Sequence, residues 1–216
     1  TWYTGICLFC RSRNNCWIVR SCINKNYLKE VSLTENEYTT STGRKIYVFR
    51  DVYDYARQQN LLKWSMSRSF NFNPSNEGIL IGQKSDTILS CQADLPEIQL
   101  KEMLDIDKKD SIKEKLSNKR LIRNWINANV SKAPGFFHSD AFKEGSLSLL
   151  VYLNCEWDLS WDGYTVWASD DLKKIEHIEY PEPGKVVIFD SLIPHKPTAD
   201  SATAPSFRFT MNSVWF

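Results

Sequence analysis

Two stretches in the C-terminal half of the chain alternate between apolar and polar residues, which is the pattern of half-buried β-strands. In residues 146–154, SLSLLVYLN, the odd-numbered positions are all apolar and the even-numbered positions are mostly polar. Residues 206–212 repeat the pattern, with phenylalanine and methionine on one face and serine, arginine, threonine and asparagine on the other. The polar faces would point to water in a sandwich and inward in a small ligand-holding barrel, and periodicity leaves both possibilities open.

The rest of the hydrophobic pattern divides the chain into two parts. Residues 51–64 and 96–116 carry apolar side chains at helical spacing and predict surface helices with one buried face. From about residue 120 onward, short segments rich in β-branched and aromatic residues alternate with turn residues, as in a sandwich or barrel. We therefore predict a single, mainly β domain over 1–216, with helices first. In this prediction 1–119 give helical and strand support, and 120–216 form the β core.

The composition supports a sizeable core and gives no electrostatic argument for a nucleic-acid or membrane-surface partner. Of the 216 residues, 42% are hydrophobic, and the 27 lysines and arginines nearly balance the 26 acidic residues. No apolar run approaches the roughly 18–20 residues of a membrane span, and the first residues do not read as a signal peptide. We therefore expect a cytoplasmic protein.

Four of the six cysteines lie early in the chain, at Cys7, Cys10, Cys16 and Cys22. A C-x2-C pair followed by two further cysteines is one arrangement that binds zinc. Strong structural zinc motifs contain two close pairs, however, and the second pair here is more widely spaced. Reduced cysteines are therefore the expected interpretation, with a zinc site as the alternative.

A second possible metal site involves His138 and Asp140, which are separated by one serine and share a face if the segment is extended. His195, just past another predicted strand, is the third candidate. Two imidazoles and one carboxylate are the ligand set of a facial-triad ferrous site, which leaves positions open for a co-substrate and dioxygen. On spacing alone, H-x-D is also typical of a turn or cap, and His195 also fits a loop.

Arg208 favours the metal-site interpretation. It lies on the polar face of its predicted strand, two residues from Thr210, and a guanidinium beside a hydroxyl suits a carboxylate. Tyr152, on the polar face of the other strand, is a candidate phenolic donor. An exposed Arg208 on a surface strand is the simpler alternative, but it gives no reason for metal ligands and anion donors to occur together.

Four segments of the chain, taken in order, resemble a known enzyme family. They are FHSD (137–140), SLSLLVYLNCEWD (146–158), YPEPGKVVIFDSLIPH (180–195) and SFRFTMNSVWF (206–216). They look like the prolyl 4-hydroxylase-like branch of the 2-oxoglutarate/Fe(II) dioxygenases, above all the hypoxia-inducible-factor prolyl hydroxylases. The resemblance covers about 120–216 and implies a double-stranded β-helix, or jelly-roll, fold.

The resemblance also implies an assignment of the site residues. The iron ligands would be His138, Asp140 and His195. Arg208 would bind the distal carboxylate of 2-oxoglutarate, with Tyr152 and Thr210 assisting. In this family, 2-oxoglutarate and dioxygen are converted to succinate and carbon dioxide while a substrate carbon is hydroxylated, and we expect ascorbate to support the iron centre.

The implied substrate is an aliphatic carbon, above all on a peptidyl, prolyl-type side chain, and a free small molecule is the alternative. Asp140 favours hydroxylation, because related halogenases carry a small residue at this position. A non-catalytic jelly-roll binding module would not need the complete ligand set. A cupin-like metalloenzyme without an oxo-acid co-substrate would leave Arg208 and Thr210 without a role.

Two departures from the family pattern bear on prolyl specificity. Where the family usually has a Gly-Gly pair, this chain has Asp162 and Gly163, followed by Tyr164. The interval between His195 and Arg208 also looks longer than in close relatives, which predicts a longer loop at DSATAPS. Neither departure touches the predicted ligands.

Six further residues are of types that often occur in functional sites. We expect His177 to be structural or exposed, because it lacks a partner ligand. Asn127 and Asn129 are candidates for the wall of the pocket. Three tryptophans are expected to pack in the core or a lid near the pocket entrance: Trp157, Trp161 and Trp167.

Overall fold

The computed structural model describes most of the chain from Thr34 onward, and the described residues lie in one compact unit. The described ranges are 34–72, 88–129, 135–141 and 143–216. Cys7, Cys10, Cys16 and Cys22 lie outside these ranges, so the interpretation of these cysteines stays a prediction. The single domain over the whole chain likewise stays a prediction.

The strands of the described residues form two antiparallel sheets. The strands are β1 (Thr34–Thr39), β2 (Lys45–Arg50), β3 (Asn71–Phe72), β4 (Ile88–Gln92), β5 (Leu121–Asn129), β6 (Leu147–Tyr152), β7 (Thr165–Ala168), β8 (Ile175–Glu179), β9 (Val186–Asp190), β10 (His195–Pro197) and β11 (Arg208–Trp215). The larger sheet has the order β1-β2-β9-β6-β11-β5-β4-β3, and the smaller sheet has the order β10-β7-β8. The mainly β fold class predicted from the sequence is confirmed.

The helices precede the β core, as predicted, but two strands come before them. The helices are α1 (Tyr55–Met66), α2 (Glu97–Met103) and α3 (Asp110–Lys115). Strands β1 and β2 form a hairpin that joins the larger sheet beside β9. Ile46 and Val48 of β2 alternate along the strand and are fully buried, which is why this early segment belongs to the sheet.

The single helix predicted over 96–116 is wrong, because the structure divides it into α2, a 3-10 turn and α3. Asp105 adopts a left-handed backbone conformation with φ of 51°, which interrupts the helical path. The other predicted helix begins at Tyr55 instead of residue 51. Its N-cap is Asp54, whose carboxylate accepts a hydrogen bond from the backbone N–H of Arg57 at 2.7 Å.

The apolar faces of β6 and β11 pack against the helices. Leu149 and Val151 of β6 and Met211 of β11 lie in one buried cluster with Leu61 of α1 and Leu100 of α2. Burying a side chain of this size contributes about 2 kcal/mol. The polar faces of β6 and β11 therefore turn away from the helices and toward the interior between the sheets. Periodicity left open whether the polar faces point to water or inward, and in the structure they point inward.

Glu179, at the end of β8, is the centre of a buried ionic network. Its carboxylate accepts hydrogen bonds from Lys185 Nζ at 2.7 Å, His177 Nε2 at 2.9 Å and Arg50 Nη2 at 3.2 Å. Burial alone would raise the pKa of Glu179, but the hydrogen bonds from His177 and Lys185 outweigh it and lower the pKa. His177 thus has the structural role expected for it.

No helix within the described ranges is both long enough and apolar enough to cross a membrane. The cytoplasmic location and the absence of a nucleic-acid partner stay predictions.

Candidate metal centre and its cleft

The fold brings together His138, Asp140 and His195, the three residues predicted from the sequence as metal ligands. His138 and His195 form an isolated antiparallel bridge, with backbone N–O distances of 3.0 and 2.9 Å in the two directions. The Asp140 backbone N–H donates to the carbonyl of Ser191 at 2.9 Å. One potential ligand atom from each of the three side chains lies within 4.8 Å of the others.

Backbone carbonyls fix the tautomer of both imidazoles. His138 Nδ1 lies 2.9 Å from the carbonyl oxygen of Phe136, and His195 Nδ1 lies 3.0 Å from that of Ile193. Because a carbonyl oxygen only accepts, each Nδ1 carries the hydrogen and donates. Each Nε2 therefore keeps its lone pair, which is the form of histidine that binds a metal.

The carboxylate of Asp140 accepts a hydrogen bond from a serine and lies close to both histidines. The Ser148 hydroxyl donates to its Oδ2 at 2.6 Å, and Ser191 Oγ lies 2.9 Å from that hydroxyl. Asp140 Oδ1 lies 3.7 Å from His138 Nε2, and Oδ2 lies 3.5 Å from His195 Nε2. Neighbouring ligands on an ion with bonds of about 2.1 Å are about 3 Å apart, so a small contraction closes the site on a metal.

The electrostatics of the three residues favour a divalent cation. Burial lowers the pKa of His195 to about 4, so its ring is neutral at pH 7. For Asp140, burial alone would raise the pKa, but His195, His138 and the Ser148 hydrogen bond outweigh it and lower the pKa. The donor set at neutral pH is therefore nitrogen lone pairs and one carboxylate, which fits Fe(II) among the borderline metals.

The three residues line a cleft between the two sheets. One wall is built from paired positions on β11 and β5, where Arg208 lies opposite Asn129 and Thr210 lies opposite Asn127. Both asparagines line the cleft, as predicted from the sequence. Asn127 Oδ1 and Asn129 Nδ2 are buried without a hydrogen-bond partner within the described residues, so this wall can take further polar contacts.

Arg208 and Thr210 both line the cleft together with the candidate metal ligands. Arg208 is 2% exposed, so its guanidinium is a buried charge facing a cavity instead of the surface charge of the simpler alternative. Tyr152 lies opposite Thr210 in the strand register, and its hydroxyl donates to Thr165 Oγ1 at 2.8 Å. Thr165 lines the cleft and was missed from the sequence, although it shares its polarity with the other wall positions.

Two further residues at the arginine were also missed. The Arg208 Nε–H donates to Asp200 Oδ1 at 3.2 Å, and Asp200 lies in the predicted longer loop before β11. Gly163 has φ of 76°, and a Cβ at this position would lie 2.5 Å from Asp200 Oδ1. The departure from the family pattern at Asp162-Gly163 therefore keeps the glycine that the site needs.

The three tryptophans serve packing. Trp167 is fully buried, with its ring centroid 5.4 Å from that of Phe189. Trp157 and Trp161 form an edge-to-face pair at 5.6 Å. All three lie outside the set of residues that lines the cleft.

The sequence matches no protein-family model and no curated protein. Solved structures do resemble the fold. HygX from Streptomyces hygroscopicus, with nickel, 2-oxoglutarate and hygromycin B bound, has a TM-score of 0.58 at 11% identity, covering 79% of this chain and 82% of that one. A Pseudomonas putida prolyl-4-hydroxylase has a TM-score of 0.53 at 16% identity, covering 79% and 91%.

A Trichoplax adhaerens prolyl hydroxylase, in complex with a hypoxia inducible factor peptide fragment, has a TM-score of 0.56 at 14% identity, covering 79% of this chain and 82% of that one. The chain therefore has the jelly-roll fold of the 2-oxoglutarate/Fe(II) oxygenases, as its resemblance to that family implies. Identities this low concern the fold, and chemistry has to be argued from the site.

Proposed function

We propose that this protein is a 2-oxoglutarate- and Fe(II)-dependent hydroxylase. The observation that carries the proposal is the presence of two different binding elements in one cleft. His138, Asp140 and His195 cluster as a candidate metal-ligand set, and Arg208 and Thr210 line the same cleft with a guanidinium and a hydroxyl, which suit a carboxylate. The similarity to HygX, whose structure contains nickel and 2-oxoglutarate, supports this combination.

Each part of the cleft has a role in this reaction. Bound at the three ligands, Fe(II) would supply the activation of dioxygen and the oxidative decarboxylation of 2-oxoglutarate, with ascorbate keeping the metal reduced. Arg208 donates to the distal carboxylate of 2-oxoglutarate, and the Thr210 hydroxyl adds a second donor. Burial raises the pKa of Tyr152, so its phenol stays protonated and holds Thr165 against the same site.

The protein also limits side reactions by restricting water. Leu150, Phe189 and Pro197 line the cleft near the metal ligands and give it an apolar side. Apolar side chains next to the metal ligands restrict water there, which strengthens nearby electrostatic contacts and protects a reactive centre from bulk water. Asp140 occupies the position that halogenases leave open for a halide, so hydrogen replacement by hydroxyl is the favoured outcome.

The substrate we propose is an aliphatic carbon on a peptidyl, prolyl-type side chain. The sequence resemblance to prolyl hydroxylases and the similarity of fold to two of them support this choice. A free small molecule is the second candidate. The amides of Asn127 and Asn129 favour it, because each has a polar atom with no partner in the described part of the chain and suits a ligand rich in hydroxyl or amide groups.

The test is formation of succinate from 2-oxoglutarate in the presence of Fe(II), ascorbate and dioxygen. We expect turnover in the wild type and its loss in His138→Ala and Asp140→Ala. His177→Gln is the matched control, because it removes a histidine outside the metal-ligand group and should retain turnover. A wild-type protein that forms no succinate and binds no Fe(II) under anaerobic conditions would overturn the proposal.

Two comparisons separate the alternatives. Arg208→Gln should raise the KM for 2-oxoglutarate, whereas a cupin-like enzyme without an oxo acid would not respond to 2-oxoglutarate at all. The substrate class follows from a mass-spectrometric search for an added oxygen atom. Proline-containing peptides and the small-molecule fraction of an extract would be incubated separately with the active protein.

A further inference from the structure

Arg208 already has a carboxylate partner inside the protein. Its Nε–H donates to Asp200 Oδ1 at 3.2 Å, and the two side chains are 2% and 1% exposed, respectively. Within the described residues, no hydrogen bond involves Arg208 Nη1 or Nη2. The guanidinium therefore has one edge taken by the protein and its two terminal nitrogens free for a ligand in the cleft.

The backbone places Asp200 at this point with little freedom. The segment after β10 continues to pair with the segment before β7. The Thr198 N–H donates to the carbonyl of Tyr164 at 2.7 Å, and the Gly163 N–H donates to that of Ala199 at 3.3 Å. On the other side of Asp200, the Ser201 N–H donates to the carbonyl of Trp161 at 2.9 Å. Because these bonds flank Asp200, its backbone is held by the same ladder that carries His195 at the start of β10.

Gly163 makes the close approach possible. A Cβ at this position would lie 2.5 Å from Asp200 Oδ1 and 3.1 Å from Arg208 Cδ. Its φ of 76° is also in the left-handed region, where other residues are strained. Gly163, which has no side chain, therefore leaves room for the Asp200–Arg208 pair.

The charge of the pair has a consequence for any anion that binds there. Asp200 compensates most of the charge of Arg208, so a second carboxylate meets a nearly neutral pair and the repulsion of Asp200. Burial raises the pKa of Asp200 to about 6, against the lowering effect of Arg208, which agrees with a carboxylate short of compensating partners. Among the residues that the structure describes, Asp200 Oδ2 is buried without a hydrogen-bond partner.

We propose that Asp200 is a positioning residue that holds Arg208 through Nε and weakens the affinity of the cleft for the distal carboxylate of its co-substrate. This inference rests on the proposed function. Substitution by asparagine removes the negative charge but leaves an oxygen that can accept from Nε. Affinity for a dicarboxylic oxo acid should therefore rise, because repulsion is lost while the arginine stays in place.

The experiment is calorimetric titration of the Zn(II)-substituted protein with 2-oxoglutarate, since Zn(II) has no redox chemistry and the complex does not turn over. We expect Asp200→Asn to lower the Kd about tenfold, the order of magnitude for two like charges across a guanidinium with partial solvent screening. The Kd for 2-oxopentanoate, which lacks the distal carboxylate, should not change. In the Fe(II) enzyme, Asp200→Asn should lower the KM for 2-oxoglutarate. Its kcat should stay within about twofold of the wild-type value.

Two further variants complete the design. Asp162→Asn is the matched control, because it removes an exposed carboxylate that faces Asp200 across an isolated bridge, and it should change the Kd much less than Asp200→Asn does. Asp200→Ser is a smaller neutral variant that repeats the test if the asparagine variant does not fold, as judged by thermal melting. An unchanged or raised Kd for 2-oxoglutarate in the folded Asp200 variants would overturn the inference alone. Absence of 2-oxoglutarate binding to the wild type would overturn the proposed function and the inference with it.

Discussion

Ser148 is the residue whose removal most sharply tests the organisation of the metal centre. Its hydroxyl donates to Asp140 Oδ2 at 2.6 Å, and Ser148 is 2% exposed. In Ser148→Ala the carboxylate loses this donor, and the hydroxyl of Ser191 loses its neighbour at 2.9 Å. A hydrogen bond to a charged group contributes about 1.5–3 kcal/mol. Without it, the Asp140 carboxylate is less fixed in orientation and more readily protonated.

Metal affinity is the quantity that responds. Removing a hydrogen-bond partner of a metal ligand weakens metal binding by about 10–100-fold. We therefore expect Ser148→Ala to raise the Kd for Mn(II), measured by titration of metal-free protein, within that range.

The control for this prediction is Ser139→Ala. Ser139 lies between the two ligands in sequence, and its hydroxyl donates to the carbonyl of Leu192 at 3.0 Å, away from the Asp140 carboxylate. Its loss removes a serine hydroxyl from the same segment without touching a ligand, and the Kd for Mn(II) should stay within about twofold of the wild type. Equal weakening by both substitutions, or none by Ser148→Ala, would refute the reasoning.

Three other predictions concern stability and the cleft. Leu149→Ala should lower the free energy of unfolding by about 2–5 kcal/mol, because this side chain is buried. Ile122→Ala, at an exposed position, should change the free energy of unfolding by less than about 0.5 kcal/mol. Urea denaturation measures both changes. Gly163→Ala should weaken 2-oxoglutarate binding in calorimetry by displacing Asp200 and Arg208, and unchanged binding would contradict the close approach. The pKa of Glu179 is lowered on folding, so its contribution to stability is complete above its unfolded pKa of about 4.3 and is lost as the pH falls below it. The urea midpoint should therefore drop on acidification, and this drop should be smaller in Glu179→Gln.

Local patterns in the sequence predict much of the β core. The two-residue period of β6 and β11 separates an apolar face from a polar face, and the structure keeps this separation. The direction of each face could not be predicted, because alternation is the same for a sandwich with a wet face and for a barrel with a polar interior. In the structure the polar face of β11 points inward, because Arg208 on this face is buried and borders the cleft.

The cluster of His138, Asp140 and His195 could be predicted because His138 and Asp140 are close in sequence and all three side chains are chemically distinctive. The elements that complete the cleft depend on contacts between distant segments. Asp200 meets Arg208 only because the loop after β10 pairs with the segment just before β7, and no spacing in the sequence encodes that pairing. The break in the helix predicted over 96–116 could not be predicted either, because the charged and apolar spacing continues through Asp105, whose backbone is left-handed.

The proposed function requires that one cleft binds a metal ion at three side chains and a dicarboxylic oxo acid at an arginine. The most direct measurement is a crystal structure of the protein with Mn(II) and 2-oxoglutarate. We predict Mn(II) within about 2.3 Å of His138 Nε2, His195 Nε2 and one Asp140 oxygen, with the distal carboxylate of 2-oxoglutarate on the terminal nitrogens of Arg208. Mn(II) bound away from these three side chains, or a 2-oxoglutarate carboxylate that does not contact Arg208, would contradict the account.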